Sequence, residues 1–209
     1  MSPSRSIAAE LRDLQDRCRA CTRCVQDGLL PVAAPTFSGT AAACLFLVGQ
    51  APGLVELESR RPFSGRAGRE LDRWMIRAGF ESAEEFRRRV YIAAVARCFP
   101  GRNPRGGGDQ RPSRGVIENC ASWLEAELEL LRPPVVIAVG QLAISRFLGP
   151  GSLEERVGRA FGSAPVVVPL PHPSGQSRWL NDPANRDRLE RALSLISELR
   201  GRHCATKRS

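Results

Sequence analysis

Histidine, lysine and tyrosine are scarce in this sequence, and long apolar runs are missing. Its 209 residues include two histidines, His172 and His203, one tyrosine, Tyr91, and one lysine, Lys207. Chemistry that needs an imidazole therefore has two candidates, and a metal site built mainly on histidines lacks ligands. No apolar stretch reaches the roughly 20 residues that span a bilayer, so no membrane-spanning helix is expected. Residues 1–24 are charged and lack the apolar block of a signal peptide. The expectation is a cytoplasmic, monomeric protein. Seven cysteines is an odd number. Without a secretory signal, that favours a metal or cluster site over a disulfide framework.

What is present fits a packed globular chain. Hydrophobic residues make up 42%, and a chain of this length buries one sizeable core. It reads as a single domain over residues 1–209. Residues 1–30 form an N-terminal helix and cysteine segment, and 200–209 a disordered tail. The formal charge is +9, from 31 basic and 22 acidic residues. Such an excess suits a polyanionic partner, because phosphate contacts release counterions. Nearly all the basic residues are arginine, which a GC-rich genome also produces. Charge by itself leaves nucleic acid and plain composition equally open.

Helices are expected over residues 6–25, 66–78, 113–131, 141–148 and 183–199. In the second, Leu71, Trp74, Met75 and Ala78 share a face. Ser113 caps the third and Pro133-Pro134 stops it. Short apolar runs at 44–48, 91–95, 135–139 and 166–168 read as buried strands. Residues 31–40 read as a loop. Residues 101–111 contain Gly106-Gly107-Gly108 and read as a mobile loop. Strands alternating with helices predict an α/β fold, a three-layer αβα sandwich around a central four-stranded parallel sheet. In such sheets the site lies beyond the carboxyl ends of the strands. Residues 49–53, 96–100 and 171–174 occupy those places.

Cys18, Cys21 and Cys24 form two overlapping Cys-x-x-Cys pairs, which place two thiolates on one metal centre. Cys98 follows a strand and Cys120 lies inside a helix. One N-terminal pair plus these two makes four ligands. The spacing leaves open which N-terminal cysteine stays free. A structural zinc usually takes two close pairs; here the second pair is split, which tilts toward a cluster. Cys44 reads as a small buried apolar residue in its strand, and Cys204 as an exposed free thiol in the tail.

Gly49-Gln50-Ala51-Pro52-Gly53 is a turn that points backbone N–H groups at a ligand, or an ordinary strand-to-helix connection. Phe63 sits in the polar loop Arg61-Pro62-Phe63-Ser64-Gly65. There it serves as a stacking platform for a base or folds back over the core. His172 lies between prolines at a strand end, ahead of Ser174-Gly175-Gln176-Ser177-Arg178. A histidine so placed can hydrogen-bond a base carbonyl and stabilise developing charge. The polar run after it can press into DNA as a base flips out.

Taken in order, these pieces resemble the iron–sulfur members of the uracil-DNA glycosylase superfamily, families four and five. The ordered set is Cys21-x-x-Cys24, Gly49-Gln50-Ala51-Pro52-Gly53, Arg61-Pro62-Phe63-Ser64-Gly65, Cys98-Phe99-Pro100-Gly101, Cys120 and His172-Pro173-Ser174. The resemblance implies that Cys21, Cys24, Cys98 and Cys120 hold a structural [4Fe–4S] cluster, with Cys18 the extra thiol. It implies that Gln50, Ala51 and Gly53 hold the base and the attacking water, and that Phe63 stacks on the base. His172 would stabilise the leaving anion. Ser174, Gly175, Gln176, Ser177 and Arg178 would enter the DNA. The departures place the chain between the two families. Gln50 stands where family four has glutamate, and glutamine is no general base. Glu56 aligns with a downstream acidic residue and is the candidate for orienting water. Ala94 stands where family four reads the uracil edge with asparagine. Arg66 replaces the aspartate that follows the family-five Arg-Pro-Phe motif. Residues 101–111 have no histidine, so the covalent capture used by one relative is not expected.

The function implied is hydrolysis of the N-glycosidic bond of uracil, and of other deaminated or damaged bases, in base-excision repair. Without a strong base, leaving-group stabilisation dominates over water activation. Two other readings stand beside it. One is a non-catalytic iron–sulfur protein that binds damaged DNA. The other is a zinc-stabilised nucleic-acid-binding module.

Overall fold

The four apolar runs become strands of one parallel sheet, as expected: β1 (Leu45–Gly49), β2 (Val90–Ala94), β3 (Val135–Val139) and β4 (Val166–Leu170). This computed structural model describes residues 6–104, 106, 108–174 and 178–204. The helices are α1 (Ile7–Arg19), α2 (Arg23–Gln26), α3 (Leu54–Ser59), α4 (Arg66–Arg77), α5 (Ala83–Arg89), α6 (Arg114–Leu131), α7 (Gln141–Leu148), α8 (Leu153–Arg156) and α9 (Pro183–Cys204). A 3-10 turn at Arg178–Asn181 precedes α9. The strand order is β2-β1-β3-β4. The chain leaves β1 to one side, forms β2, then crosses to the other side for β3. That reversal opens a crevice between the carboxyl ends of β1 and β3.

Alternation along the strands explains the layers. Leu45, Leu47, Val90, Ile92, Val135, Ile137 and Val139 face α4, α5 and α9. Phe46, Val48, Tyr91, Ala93, Val136 and Ala138 face α1, α6 and α7. Both faces are covered, so the strands carry apolar residues without a polar side. Residues 36–38 close the outer edge of β2. Ser38 and Ile92 exchange backbone hydrogen bonds of 2.9 and 2.7 Å, and Thr36 N–H donates to the Arg97 carbonyl at 2.8 Å. A bare strand edge is thereby avoided.

Several expectations are corrected. The first helix does not run to residue 25: α1 ends at Arg19, and α2 starts anew at Arg23. The last helix does not stop at 199 but continues through Cys204, because its buried stripe of Leu189, Ala192, Leu193, Ile196 and Leu199 carries on to that residue. Cys204 is therefore no exposed free thiol. It is buried and forms a disulfide with Cys44, with Cα atoms 5.2 Å apart. Cys44, just ahead of β1, is a bridge partner as well as a buried residue. The Arg89 guanidinium donates to the Cys204 carbonyl and fixes the same junction. Residues 205–209 lie outside the described residues. Within 101–111 the chain doubles back: Gln110 N–H donates to the Gly101 carbonyl, and Asn103 N–H to the Gly108 carbonyl, both at 2.9 Å. Among the described residues no helix is long and apolar enough to cross a membrane.

Candidate active site and cysteine cavity

The turn at residues 49–53 follows the central strand β1, at the crevice. Val95 N–H and Ala96 N–H donate to the Gly49 and Gln50 carbonyls, each at 3.0 Å. Gly49 pairs with Ala94 across β1 and β2. Ala94 is thus the floor beside the turn, and it is 7% exposed. Pro52 and Gly53 then lead into α3. Phe63 reaches the same place from the following loop. A methyl group on Gly49 would lie 2.9 Å from Phe63 Cζ, so this glycine makes room for the ring. Phe63 itself has φ 53°, a left-handed backbone that a bulky residue adopts only when its surroundings hold it there. Two features hold it. The Arg87 guanidinium donates to the Pro62 and Phe63 carbonyls at 2.9 and 2.7 Å. Gly68 passes so close that a methyl group there would lie 1.7 Å from the Phe63 carbonyl oxygen.

Glu56 ties the two loops together. One oxygen, Oε2, accepts from Gly53 N–H at 3.0 Å; the other, Oε1, accepts from Ser64 N–H at 2.6 Å and Gly65 N–H at 2.9 Å. The carboxylate expected to orient water is thus engaged by three backbone donors.

Asp109 is a carboxylate that the sequence did not single out. A methyl group on Gly53 would lie 2.7 Å from Asp109 Oδ2. Burial raises its pKa; Arg102 opposes that rise, Glu56 adds to it, and the Leu54 N–H lowers it. No sequence motif marks Asp109. Only the doubling back of the 101–110 segment, with a bridge between Arg102 and Asp109, brings it over the turn.

His172 stands beyond β4, across β3 from the turn. Its ring packs over Gly140, where an added methyl group would lie 3.4 Å from Cδ2. Gly140 has φ 83° and donates its N–H to the Leu170 carbonyl at 2.9 Å. Ser174 N–H donates to His172 Nδ1 at 3.3 Å. An accepting Nδ1 puts the ring proton on Nε2. Burial pushes the pKa below the ordinary 6.5, and Glu56 partly opposes this. At neutral pH the ring is uncharged, with an Nε2–H donor. Arg178 is exposed at the start of the 3-10 turn. Gly175, Gln176 and Ser177 lie outside the described residues.

The remaining five cysteines gather elsewhere. Cys18, Cys21, Cys24, Cys98 and Cys120 line one cavity between α1, α2, α6 and the segment after β2, with Arg97 and Trp123 in its wall. Among the described residues, no three His, Cys, Asp or Glu side chains are gathered tightly enough for a single metal ion. Three of the sulfurs already receive N–H groups: Ala34 N–H to Cys98 and Arg97 N–H to Cys120, both at 3.4 Å, and Asn119 Nδ2 to Cys24 at 3.7 Å. Burial pushes the Cys18 and Cys120 thiols up to about 12. The cavity adjoins the candidate active site. Ala51 of the turn packs on Cys24, Ala96, Cys98 and Val116.

Comparison with known proteins bears on both regions. The sequence profile of the uracil DNA glycosylase superfamily matches residues 37–195. The chain is 27% identical over 194 residues to the type-4 uracil-DNA glycosylase of Pyrobaculum aerophilum, covering 90% of this chain and 93% of that protein. It is 29% identical over 178 residues to the type-4 enzyme of Archaeoglobus fulgidus, covering 78% and 80%. A shorter stretch of 89 residues is 36% identical to the type-5 uracil-DNA glycosylase of P. aerophilum, covering 41% and 36%. The profile match spans most of the chain and the parallel sheet agrees with it: the chain belongs to the uracil-DNA glycosylase superfamily.

Proposed function

We propose that this chain hydrolyses the N-glycosidic bond of uracil, and of other deaminated or damaged bases, in DNA. The observation that carries the reading is His172, an uncharged imidazole whose Nδ1 is occupied by Ser174 N–H and whose Nε2–H remains a donor. In the reaction a water oxygen bonds to the sugar carbon as the carbon–nitrogen bond breaks. The bonding electrons leave with the base and spread onto its carbonyl oxygens. The water's surplus proton passes to solvent. Nε2–H donates to a carbonyl oxygen as it becomes anionic. A neutral donor suits this role, because its hydrogen bond strengthens as charge builds.

Phe63 stacks on the flipped base, with Ala94 and residues 50–53 as the rest of the pocket. Ala94 carries no hydrogen-bonding side chain, which suits a range of bases rather than uracil alone. Gln50 helps place the water but removes no proton. Glu56 acts as a positioning residue, since its oxygens hold the two loops in register. Asp109, beside Gly53, supplies the negative charge that favours the cationic sugar. Residues 174–178 and the +9 charge serve the DNA contact.

The cysteine cavity fits a [4Fe–4S] cluster held by Cys21, Cys24, Cys98 and Cys120. Five thiols spread around a common space suit a cubane better than a single zinc, whose sulfurs crowd within about 2.3 Å of one point. The N–H groups on three sulfurs are the donors that thiolates need. When bound, the cluster supplies a rigid joint between the N-terminal segment and the strand end that carries the turn at residues 49–53. No step of the hydrolysis passes through it.

Single-turnover incubation with duplexes holding uracil, hydroxymethyluracil, ethenocytosine or hypoxanthine tests the reading. Release of at least one base is expected, with His172→Ala slower by about 10²–10³-fold. No release from any duplex, with binding retained, would establish the non-catalytic alternative. Equal rates for His172→Ala and wild type would remove His172 from its role.

A further inference from the structure

Arg97 is 1% exposed and Glu127 0% exposed, and they form a 2.6 Å ion pair through Arg97 Nη2. Glu127 also accepts from the Tyr91 hydroxyl at 2.8 Å, and that hydroxyl accepts from Gln15 Nε2 at 3.3 Å. The network satisfies one nitrogen of the guanidinium and leaves the other two. Arg97 Nε and Nη1 are buried with no hydrogen-bond partner, and so is Trp123 Nε1. Leaving such donors unpaired in the interior carries their full desolvation penalty. Five buried side-chain atoms among the described residues lack partners, and these three all belong to residues that line the five-cysteine cavity. The Phe37 ring centroid lies 5.9 Å from the guanidinium carbon.

An anionic, sulfur-rich acceptor in that cavity would suit such donors. A neutral thiol accepts weakly, whereas the thiolates and sulfides of a four-iron cluster accept well and carry net negative charge. Arg97 is also bound to the cavity through its backbone, since its N–H donates to Cys120. Its pairing with Glu127 fixes the guanidinium through Nη2 and leaves Nε and Nη1 without a partner.

We infer that Arg97, assisted by Trp123, is a hydrogen-bond donor to the cluster cavity, giving an N–H that the protein leaves unpaired to cluster sulfur and holding the cluster at a higher reduction potential than the cysteines alone would set. This rests on the iron–sulfur reading proposed above. A hydrogen bond to cluster sulfur stabilises the reduced, more negative cluster over the oxidised one, which is why the potential rises, while the charge of Arg97 is offset by Glu127. Arg97 takes no part in base removal, so its removal shifts the potential at unchanged iron content.

The test uses anaerobically purified full-length protein. Iron and acid-labile sulfide are measured first. Their absence in wild type, or zinc in their place, would overturn the cluster reading and this inference with it. With the cluster present, the midpoint potential is compared between wild type, Arg97→Lys and the double variant Arg97→Gln/Glu127→Gln, which removes both members of the buried pair. The expected order is wild type highest, Arg97→Lys between and the double variant lowest. Equal potentials at equal iron content would overturn the role of Arg97 and leave the cluster reading standing. A wild-type measurement does not depend on any variant folding. Protein labelled with 15N only at arginine guanidinium nitrogens should show 15N hyperfine coupling to the reduced cluster by pulsed electron paramagnetic resonance. A spectrum without that coupling would overturn the inference.

Discussion

The two walls of the candidate site are built in opposite ways. The wall after β1 is cross-tied: Glu56 holds three backbone N–H groups of two loops, Arg87 holds two carbonyls of the second loop, and Phe63 seats against Gly49. The wall after β4 carries His172 between Pro171 and Pro173, with the Ser174 N–H on its Nδ1. A base stacked on the first wall meets a surface that several bonds would have to break to move. The second wall brings one donor whose direction is set by its own backbone. On the proposed reading, a rigid shelf and a locally steered electrophile divide the work of recognition and catalysis.

Three predictions press on that difference. The largest effect is expected from Glu56→Ala. Removing a carboxylate that accepts three N–H bonds should lower stability by about 1.5–3 kcal/mol and lower base release with it. Thermal unfolding and single-turnover rates measured together check this. Glu56→Gln, which keeps one accepting oxygen, should recover part of both. A Glu56→Ala protein with wild-type melting and a lost pH–rate limb would make Glu56 a base instead.

Asp109→Asn should behave in the converse way. Its carboxylate takes one backbone N–H, that of Leu54, against the three that Glu56 takes, so the melting temperature should fall less than for Glu56→Ala. The rate constant for base release should fall about tenfold, equivalent to roughly 1.4 kcal/mol. An unchanged rate would remove Asp109 from the chemistry.

The smallest effect belongs to pH. The folded-state pKa of His172 lies below its ordinary 6.5, so the unfolded chain binds the proton more tightly. Its contribution to stability is complete above 6.5 and is lost as the pH falls through the depressed folded value. Denaturant unfolding at pH 7.5 and 5.5 should show a steeper acid-side loss for wild type than for His172→Asn. Equal losses would mean that the His172 ring is not desolvated in the folded chain.

Much of this was legible in the sequence because the signals are local. Apolar runs of three to five residues gave the strands, the turn at 49–53 and His172 follow strand ends where such sheets bind ligands, and Phe63 stands in the motif Arg61-Pro62-Phe63-Ser64-Gly65. The cysteine groups were legible from spacing. What was not legible depends on chain reversal. Cys44 and Cys204 are 160 residues apart and share no motif; only the docking of α9 on the sheet makes them neighbours. Glu56 was visible as an acidic residue, but its bonds to Ser64 and Gly65 need the second loop folded beside the first. Asp109 sits in a glycine-rich segment whose composition says loop and nothing about where the loop lands. Arg97 looked like one arginine among many, although the fold buries it against the cysteines.

The disulfide at the amino end of β1 sets where foreign sequence can be attached. Cys204 is pinned to Cys44, at the root of the strand whose far end bears the turn at residues 49–53. Five residues of strand put about 16 Å between those ends. Cys204 therefore lies at the end of β1 opposite the candidate DNA-facing edge. A fluorescent protein or an immobilisation tag joined there should leave that edge clear, and a tether of ordinary length would let a surface-bound enzyme present it outward.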